Sequence, residues 1–220
     1  MEHLLLFSRI NFSLGSIALV SLLFYACIEP FGARAAVATS STVVTLTVQT
    51  GISISTPGNS SMSAILGLAS NSAIGTTTWT VITNNALGYT LGFNSTSTPA
   101  MNSTTTPNTI ANYQSGTPNT WVATSGGAYF GYSAFGTDVP TGTWGTPTAS
   151  LCSGAAGPNA TSTTLKYKGF TGSAFTVATR SATTTPSGVS TTLCYAVEQN
   201  AFFIPSGTYQ ATIVATATTL

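Results

Sequence analysis

The ionisable side chains are the residues of this chain that could do chemistry, and they are scarce. The 220 residues include one histidine, five Lys or Arg and four Asp or Glu. General acid–base catalysis, metal binding and phosphate recognition all need several such groups brought together. Beyond the first 38 residues, which we predict to be an export signal, the charged side chains that remain are Asp138, Lys166, Lys168, Arg180 and Glu198.

This scarcity argues against an enzyme. The many serines have no histidine base, because the one histidine is His3, so a nucleophilic triad cannot be assembled. Asp138 and Glu198 would have to serve as a glycosidase pair by default, and calcium sites usually recruit more carboxylates. The sequence therefore predicts a protein with no catalytic residue, no metal site and no cofactor.

Composition indicates one folded core with a nearly uncharged surface. The chain is 43% hydrophobic and 10% aromatic but only 4% charged, against roughly 25% charged in an ordinary soluble domain. After the signal, three bases minus two acids leave a charge of +1, so no attraction to nucleic acid is expected. Hydroxyl and amide groups fill the polar positions. Contacts made through them should be insensitive to pH and salt.

Residues 1–38 are typical of a secretion signal. An apolar run over residues 10–28 follows a short polar start, and Ala36-Val37-Ala38 offers a small-residue cleavage site. The alternatives are an uncleaved membrane anchor and a lipoprotein box that ends at Cys27. Cleavage would release a secreted protein to the cell surface, with no membrane contact after signal removal. It would also leave Cys152 and Cys194, which we expect to form a disulfide, or else to remain as two buried thiols.

Alternation of apolar and polar residues predicts strands. In Thr42–Thr56 the apolar members are Val44, Leu46, Val48, Ile52 and Ile54. The same pattern runs through Trp79–Val81 and Tyr89–Phe93, on either side of an Asn- and Gly-containing turn that suits a hairpin, and through Tyr209–Thr218. We predict an all-β protein, an antiparallel β-sandwich or jelly roll of about eight to ten strands. It forms a single domain over residues 39–220, with 42–56 as a possible exchangeable N-terminal strand.

Several surface features are expected between the strands. Residues 94–120 are predicted to form a long surface excursion. Lys166 and Lys168 alternate with Leu165 and Tyr167 and are expected to point to solvent. Four Asn-X-Ser/Thr sequons are possible N-glycosylation sites: Asn59, Asn94, Asn102 and Asn159.

An aromatic group raises the possibility of sugar binding. Exposed aromatic faces can stack on sugar rings, although the same side chains could serve as core or loop anchors. The possible glycan-stacking aromatics are Trp121, Tyr129, Tyr132 and Trp144.

Two segments resemble known secreted proteins. TWTVITNNALGYTLGF (Thr78–Phe93) and IPSGTYQATIVATAT (Ile204–Thr218) are similar to bacterial surface β-sandwiches, including WxL-type wall-binding domains, although Ile213-Val214-Ala215 stands where a second Trp-X-Leu would be. The second segment is also similar to the last strands of spore-coat and fimbrial subunits. The layout resembles donor-strand filament subunits of archaea and bacteria. These resemblances imply an extracellular structural or adhesive protein.

Two functions follow as expectations. The first is a self-associating filament (pilus-like) or coat subunit, in which Val44, Leu46 and Val48 act as a donor strand in a neighbouring copy. In the competing interpretation of these residues, Thr42–Thr56 pairs within its own sheet. The alternative function is a monomeric carbohydrate- or cell-wall-binding module that recognises a surface glycan.

Overall fold

The computed structural model describes residues 37–66, 70–114, 116–146 and 165–220. Val48–Leu220 forms one compact unit, whereas Thr47 and the described residues before it belong to a separate unit. Nearly all of the predicted signal lies outside the described residues. Within those residues, no helix has the length and apolarity needed to cross a membrane.

Strands dominate the described residues, with one four-residue helix, α1 (Thr141–Trp144). The strands are β1 (Ile52–Ile54), β2 (Asn71–Thr83), β3 (Tyr89–Ser95), β4 (Met101–Ser103), β5 (Thr109–Asn112), β6 (Asn119–Thr120), β7 (Gly127–Gly136), β8 (Lys166–Tyr167), β9 (Phe175–Arg180), β10 (Val189–Asn200), β11 (Tyr209–Gln210) and β12 (Ile213–Thr219).

Two sheets enclose the core. Seven strands form a sheet in the order β1-β2-β10-β7-β5-β4-β11, and three form a second sheet in the order β12-β3-β9. All the pairings in these sheets are antiparallel except that of β5 with β7. A single apolar cluster joins buried residues of both sheets. The prediction of an all-β, sandwich-like fold is confirmed, with more strands than expected because several are only two to four residues long.

The alternating pattern explains the two faces of the central strands. Trp79 and Val81 of β2 point into the core, where Trp79 meets Phe93 of β3 edge to face with 4.9 Å between ring centroids. The intervening hydroxyls lie on the outer face, where Thr78 bonds Thr192 at 2.7 Å between their Oγ1 atoms. Cross-strand hydroxyl pairs of this kind support a sheet without charge.

The predicted hairpin between β2 and β3 is wrong, because the two strands lie in different sheets. Residues 84–88 form an arch that carries the chain from one sheet to the other. Gly88 has a φ of 87°, and a side chain there would overlap the Arg180 carbonyl group. The Asn85 amide completes the arch by donating to the carbonyl oxygens of Gly88 and Leu220, each at 2.8 Å.

The predicted strand over Tyr209–Thr218 is also divided between the sheets. β11 pairs with β4 in the larger sheet, and β12 pairs with β3 in the smaller one. Ala211 and Thr212 connect β11 in the larger sheet to β12 in the smaller one. The alternation of the sequence continues through these two residues, so it does not show the change of sheet.

The expected surface excursion of residues 94–120 is more ordered than predicted. It contains β4, β5 and β6, and it places Met101 and Ile110 in the core. The sequence does not predict these strands, because each has only two to four residues and turns rich in Thr and Pro separate them.

Lys168 is a further correction, because it is buried rather than solvent-facing. Its side chain is 3% exposed, its Nζ donates to the Gly116 carbonyl oxygen at 2.7 Å, and the same Nζ lies 4.5 Å from the centroid of the Phe175 ring. Burial lowers the pKa of this ammonium group. Lys166 is half-buried and donates to the Gly142 carbonyl oxygen.

Gly88→Ala should destabilise the fold, since the alanine would need both a positive φ and space that the Arg180 carbonyl occupies. We expect the free energy of unfolding to fall by at least about 1–3 kcal/mol. Thermal denaturation followed by circular dichroism measures this as a lower Tm. Gly58→Ala is the matched control, because nothing lies within 4 Å of its added carbon. Equal melting of the two variants would contradict the arch geometry.

Candidate assembly site

The outer edge of β12 is an open sheet edge. β12 pairs with β3 on one side. Among the described residues β1 lies close to β12, but none of them forms a ladder with its other side. The Thr96 N–H donates to the Thr212 carbonyl oxygen at 3.1 Å, and the Leu220 N–H donates to that of Gly88 at 3.2 Å. Along an antiparallel ladder, residue pairs that exchange backbone hydrogen bonds alternate with pairs that do not. Since Thr212 and Leu220, which flank β12, both bond towards β3, the even-numbered residues of β12 do so as well. The odd-numbered residues therefore aim their backbone N–H and C=O groups at the open edge.

The side chains of β12 show that the core beneath this edge is incompletely covered. Ile213, Ala215 and Ala217 face the core but are only half-buried. Their neighbours across the ladder in β3, such as Leu91 and Phe93, are 0% and 1% exposed. The two alanines are also small. The edge thus combines unused hydrogen-bonding groups with shallow apolar positions that another strand could fill.

The segment before β1 carries the apolar side chains that the sequence singled out. Residues 37–51 form no strand, and Val44, Leu46 and Val48 are 88%, 84% and 72% exposed. The strand that pairs within the molecule's own sheet is Ile52–Ile54, whose partners are Thr83, Ile82 and Val81 of β2. Backbone hydrogen bonds at Gly51 and Ser55 extend this pairing by one residue at each end. The interpretation that Thr42–Thr56 pairs within its own sheet therefore holds around β1, whereas residues 42–50 form no strand.

The point at which this segment leaves the sandwich is held by one amide side chain. Asn84 Oδ1 accepts from the Gly51 N–H at 2.6 Å, and Asn84 Nδ2 donates to the Gln49 carbonyl oxygen at 2.8 Å. Thr83 Oγ1 donates to the Gly51 carbonyl oxygen at 2.7 Å. Both sides of the connecting backbone are thus bonded to the start of the arch. Sequence analysis had assigned this asparagine only to a turn.

The charged side chains Asp138, Arg180 and Glu198 form an ion pair and hydrogen bonds within the molecule. Arg180 Nη1 lies 3.2 Å from Asp138 Oδ1 in an ion pair, and the Tyr89 hydroxyl donates to Asp138 Oδ2 at 2.8 Å. Glu198 is buried and accepts from the Trp121 indole at 2.6 Å. Burial raises the pKa of its carboxyl group, and the Trp121 hydrogen bond partly lowers it. In the described part of the chain, no cluster of three metal-binding side chains is found.

The aromatic residues considered for sugar stacking are mostly core residues. Trp121, Tyr132 and Trp144 are 4%, 1% and 0% exposed, and their rings pack on other aromatic rings. Tyr129 is half-buried, with its hydroxyl 2.7 Å from the Thr124 hydroxyl. Three of the four members therefore have no ring face open to a glycan.

The predicted modification sites differ in accessibility. Asn59 is exposed, whereas Asn94 and Asn102 lie partly buried in β3 and β4. Asn102 Nδ2, the atom that would carry a glycan, is within 3.2 Å of three oxygen acceptors in residues 97–100. Asn159 lies outside the described residues. Asn59 is thus the described sequon best placed for modification.

Cys194 is fully buried and takes part in a disulfide. Cys152, its predicted partner, lies outside the described residues, so the particular pairing stays a prediction.

Comparison with protein-family models, with curated proteins and with solved structures finds no match.

Amide hydrogen exchange should reveal the open edge. In the unassembled protein we expect fast exchange at Ala215 and Ala217, whose N–H groups face away from β3, and slower exchange at Val214 and Thr216. The comparison lies within one strand, so local unfolding affects both sets alike. Two-dimensional NMR of a sample transferred to D₂O resolves the four amides. Uniform protection along β12 would show that the edge is already paired.

Proposed function

We propose that this protein is an extracellular structural subunit that polymerises by donor-strand exchange, with residues 42–49 of one copy added to the β12 edge of the next. The observation that carries the proposal is the match between two incomplete surfaces. One is a segment with exposed Val44, Leu46 and Val48, and the other is an edge with half-buried Ile213, Ala215 and Ala217. In the single chain, the apolar side chains of the segment are exposed to water and the backbone groups along the edge have no strand partner.

The chemistry of the two surfaces is complementary in detail. A strand added to β12 would bond the outward N–H and C=O groups of its odd-numbered residues. Opposed residues of an antiparallel pair point to the same face, so the donor's even-numbered valines and leucine would meet the inward-facing Ile213, Ala215 and Ala217. Thr45 and Thr47 would then lie on the outer face. That face would match the threonines of β12, Thr216 and Thr218.

The sparse charge of the molecule suits such an assembly. Residues 39–51, which include the proposed donor strand, contain no charged residue, and neither does β12, so no desolvated charge opposes the joining of subunits. Backbone bonds and apolar burial would hold the joint. Exposure to the variable pH and salt of an extracellular medium would change little in either interaction.

Donor function predicts a strong dependence on which face of the segment is altered. Leu46→Asp would place a charge over the core beneath β12, at a cost of several kcal/mol. We expect it to abolish multimers in size-exclusion chromatography and filaments in negative-stain electron microscopy. Thr45→Asp is the matched control: it adds the same charge one residue away, on the outer face, and should still assemble.

Deletion of Thr39–Gln49 provides the second arm of this test. The shortened protein should remain monomeric and keep the β spectrum of the parent, since those residues contribute no strand to the sandwich. Filaments formed by the deletion variant, or equal assembly of the two aspartate variants, would refute donor-strand exchange. Monodisperse mature protein that binds wall sugars would instead support the carbohydrate-binding alternative.

A further inference from the structure

The sandwich has two ends, and the connecting segment leaves from one of them. The exit pole is the end that holds Gly51, the arch residue Leu87 and the chain end Leu220. The far pole is the opposite end, where β10 finishes at Asn200. β12 is only seven residues long, so it begins at Ile213 about 20 Å from the exit pole, partway towards the far pole. The twelve residues of β10 run between the poles, a distance of about 40 Å.

Both poles carry exposed apolar side chains. At the exit pole, Leu87 is 66% and Ile82 is 41% exposed. At the far pole, Leu66 is 76%, Phe202 is 43% and Phe203 is 61% exposed. The far-pole residues lie on two segments that the Gln199 side chain bridges, and we call them the far-pole patch. The Gln199 side chain donates to the Leu66 carbonyl oxygen at 3.1 Å and accepts from the Ile204 N–H at 3.2 Å.

The connecting segment is too short to keep two joined subunits apart. Val48 is the last donor residue and Ile52 is the first residue of β1, so four residue steps separate them, or about 13 Å when extended. Asn84 fixes the course of this stretch against the arch. If Val48 of one copy lies in the groove beside β12 of the next, the exit pole of the first copy must touch the second copy.

The direction of the added strand decides which pole is touched. A donor antiparallel to β12 would place Val48 opposite Ile213, at the end of β12 nearer the far pole, and Val44 opposite Ala217, with the connecting segment continuing towards the far pole. A parallel donor would place Val48 at the neighbour's exit pole, and two copies could then close on each other as a dimer. The antiparallel arrangement directs the exit pole of the donor copy towards the far-pole patch of Leu66, Phe202 and Phe203, whereas the parallel one directs it away and leaves the patch in water.

We propose that the donor strand adds antiparallel to β12 and that the exit pole of each subunit packs, around Leu87, on the far pole of the next, around Phe203. This inference rests on the proposed donor-strand function. It adds a second, apolar contact between the same two copies. The contact is heterologous and does not close, so it extends an open polymer rather than a dimer.

Cross-linking of the full mature chain tests the contact. The variant Leu87→Cys/Phe203→Cys, treated with a short bismaleimide, should give a ladder of dimers and higher multimers on denaturing gels. Each single variant should give no ladder. The two sites in one chain lie at opposite poles, so the reagent cannot join them within one molecule. Ile82→Cys/Phe202→Cys is a second pair for the case in which the first fails to fold.

A separate pair makes the two proposals distinguishable. Leu46→Cys/Ala215→Cys joins the middle of the donor to the middle of β12, and the positions meet for either strand direction. A ladder from this pair without one from either pole pair would overturn the pole contact and leave donor-strand exchange standing. No ladder from the central pair would refute the exchange itself. Dimers from Leu87→Cys alone would show exit poles meeting and would overturn the antiparallel arrangement.

Discussion

The unused backbone groups along the outer edge of β12 are the constraint on which the rest of this account depends. Sheet edges are usually protected by charge, proline, a bulge or a covering element, because an open row of N–H and C=O groups invites pairing with another chain. β12 (Ile213–Thr219) contains no charge and no proline. Its inward side chains Ile213, Ala215 and Ala217 are half-buried, and two of them are small. The edge can therefore accept an additional strand, and the segment around Leu46 has the alternating apolar residues that such a strand needs.

Other features of the molecule are consistent with a subunit contact at the β12 edge. The amide of Asn84 fixes the backbone between the exposed segment and β1, so that the segment leaves at a defined end of the sandwich. At the other end, the buried amide of Gln199 bridges the Leu66 carbonyl oxygen and the N–H of Ile204, the residue after Phe203. Hydroxyl pairs such as Thr78 with Thr192 stabilise the outer faces without charge. Backbone pairing and apolar burial are the interactions that polymers of this composition can use.

The sequence predicted the strands whose alternation is long, and it failed where the chain changes sheets. Trp79–Val81 and Tyr89–Phe93 were assigned correctly because each buries one face against a single core. Periodicity cannot tell whether two strands pair or face each other, so the arch at Gly88 was taken for a hairpin and β11 was merged with β12. Lys168 was misplaced because a lysine can be buried where a carbonyl oxygen and an aromatic ring receive its ammonium group. Alternation alone singles out the proposed donor residues, but the proposed acceptor edge is recognisable only from the strand order, which depends on long-range pairing.

Electron cryo-microscopy of the assembled mature protein tests the central claim most directly, because it shows where the segment before β1 lies. Donor-strand exchange predicts a filament in which Val44, Leu46 and Val48 of each subunit form a strand against β12 of the next, antiparallel to it, with their side chains over Ala217, Ala215 and Ile213. A filament in which that segment pairs within its own subunit, or in which β12 faces solvent, would contradict it.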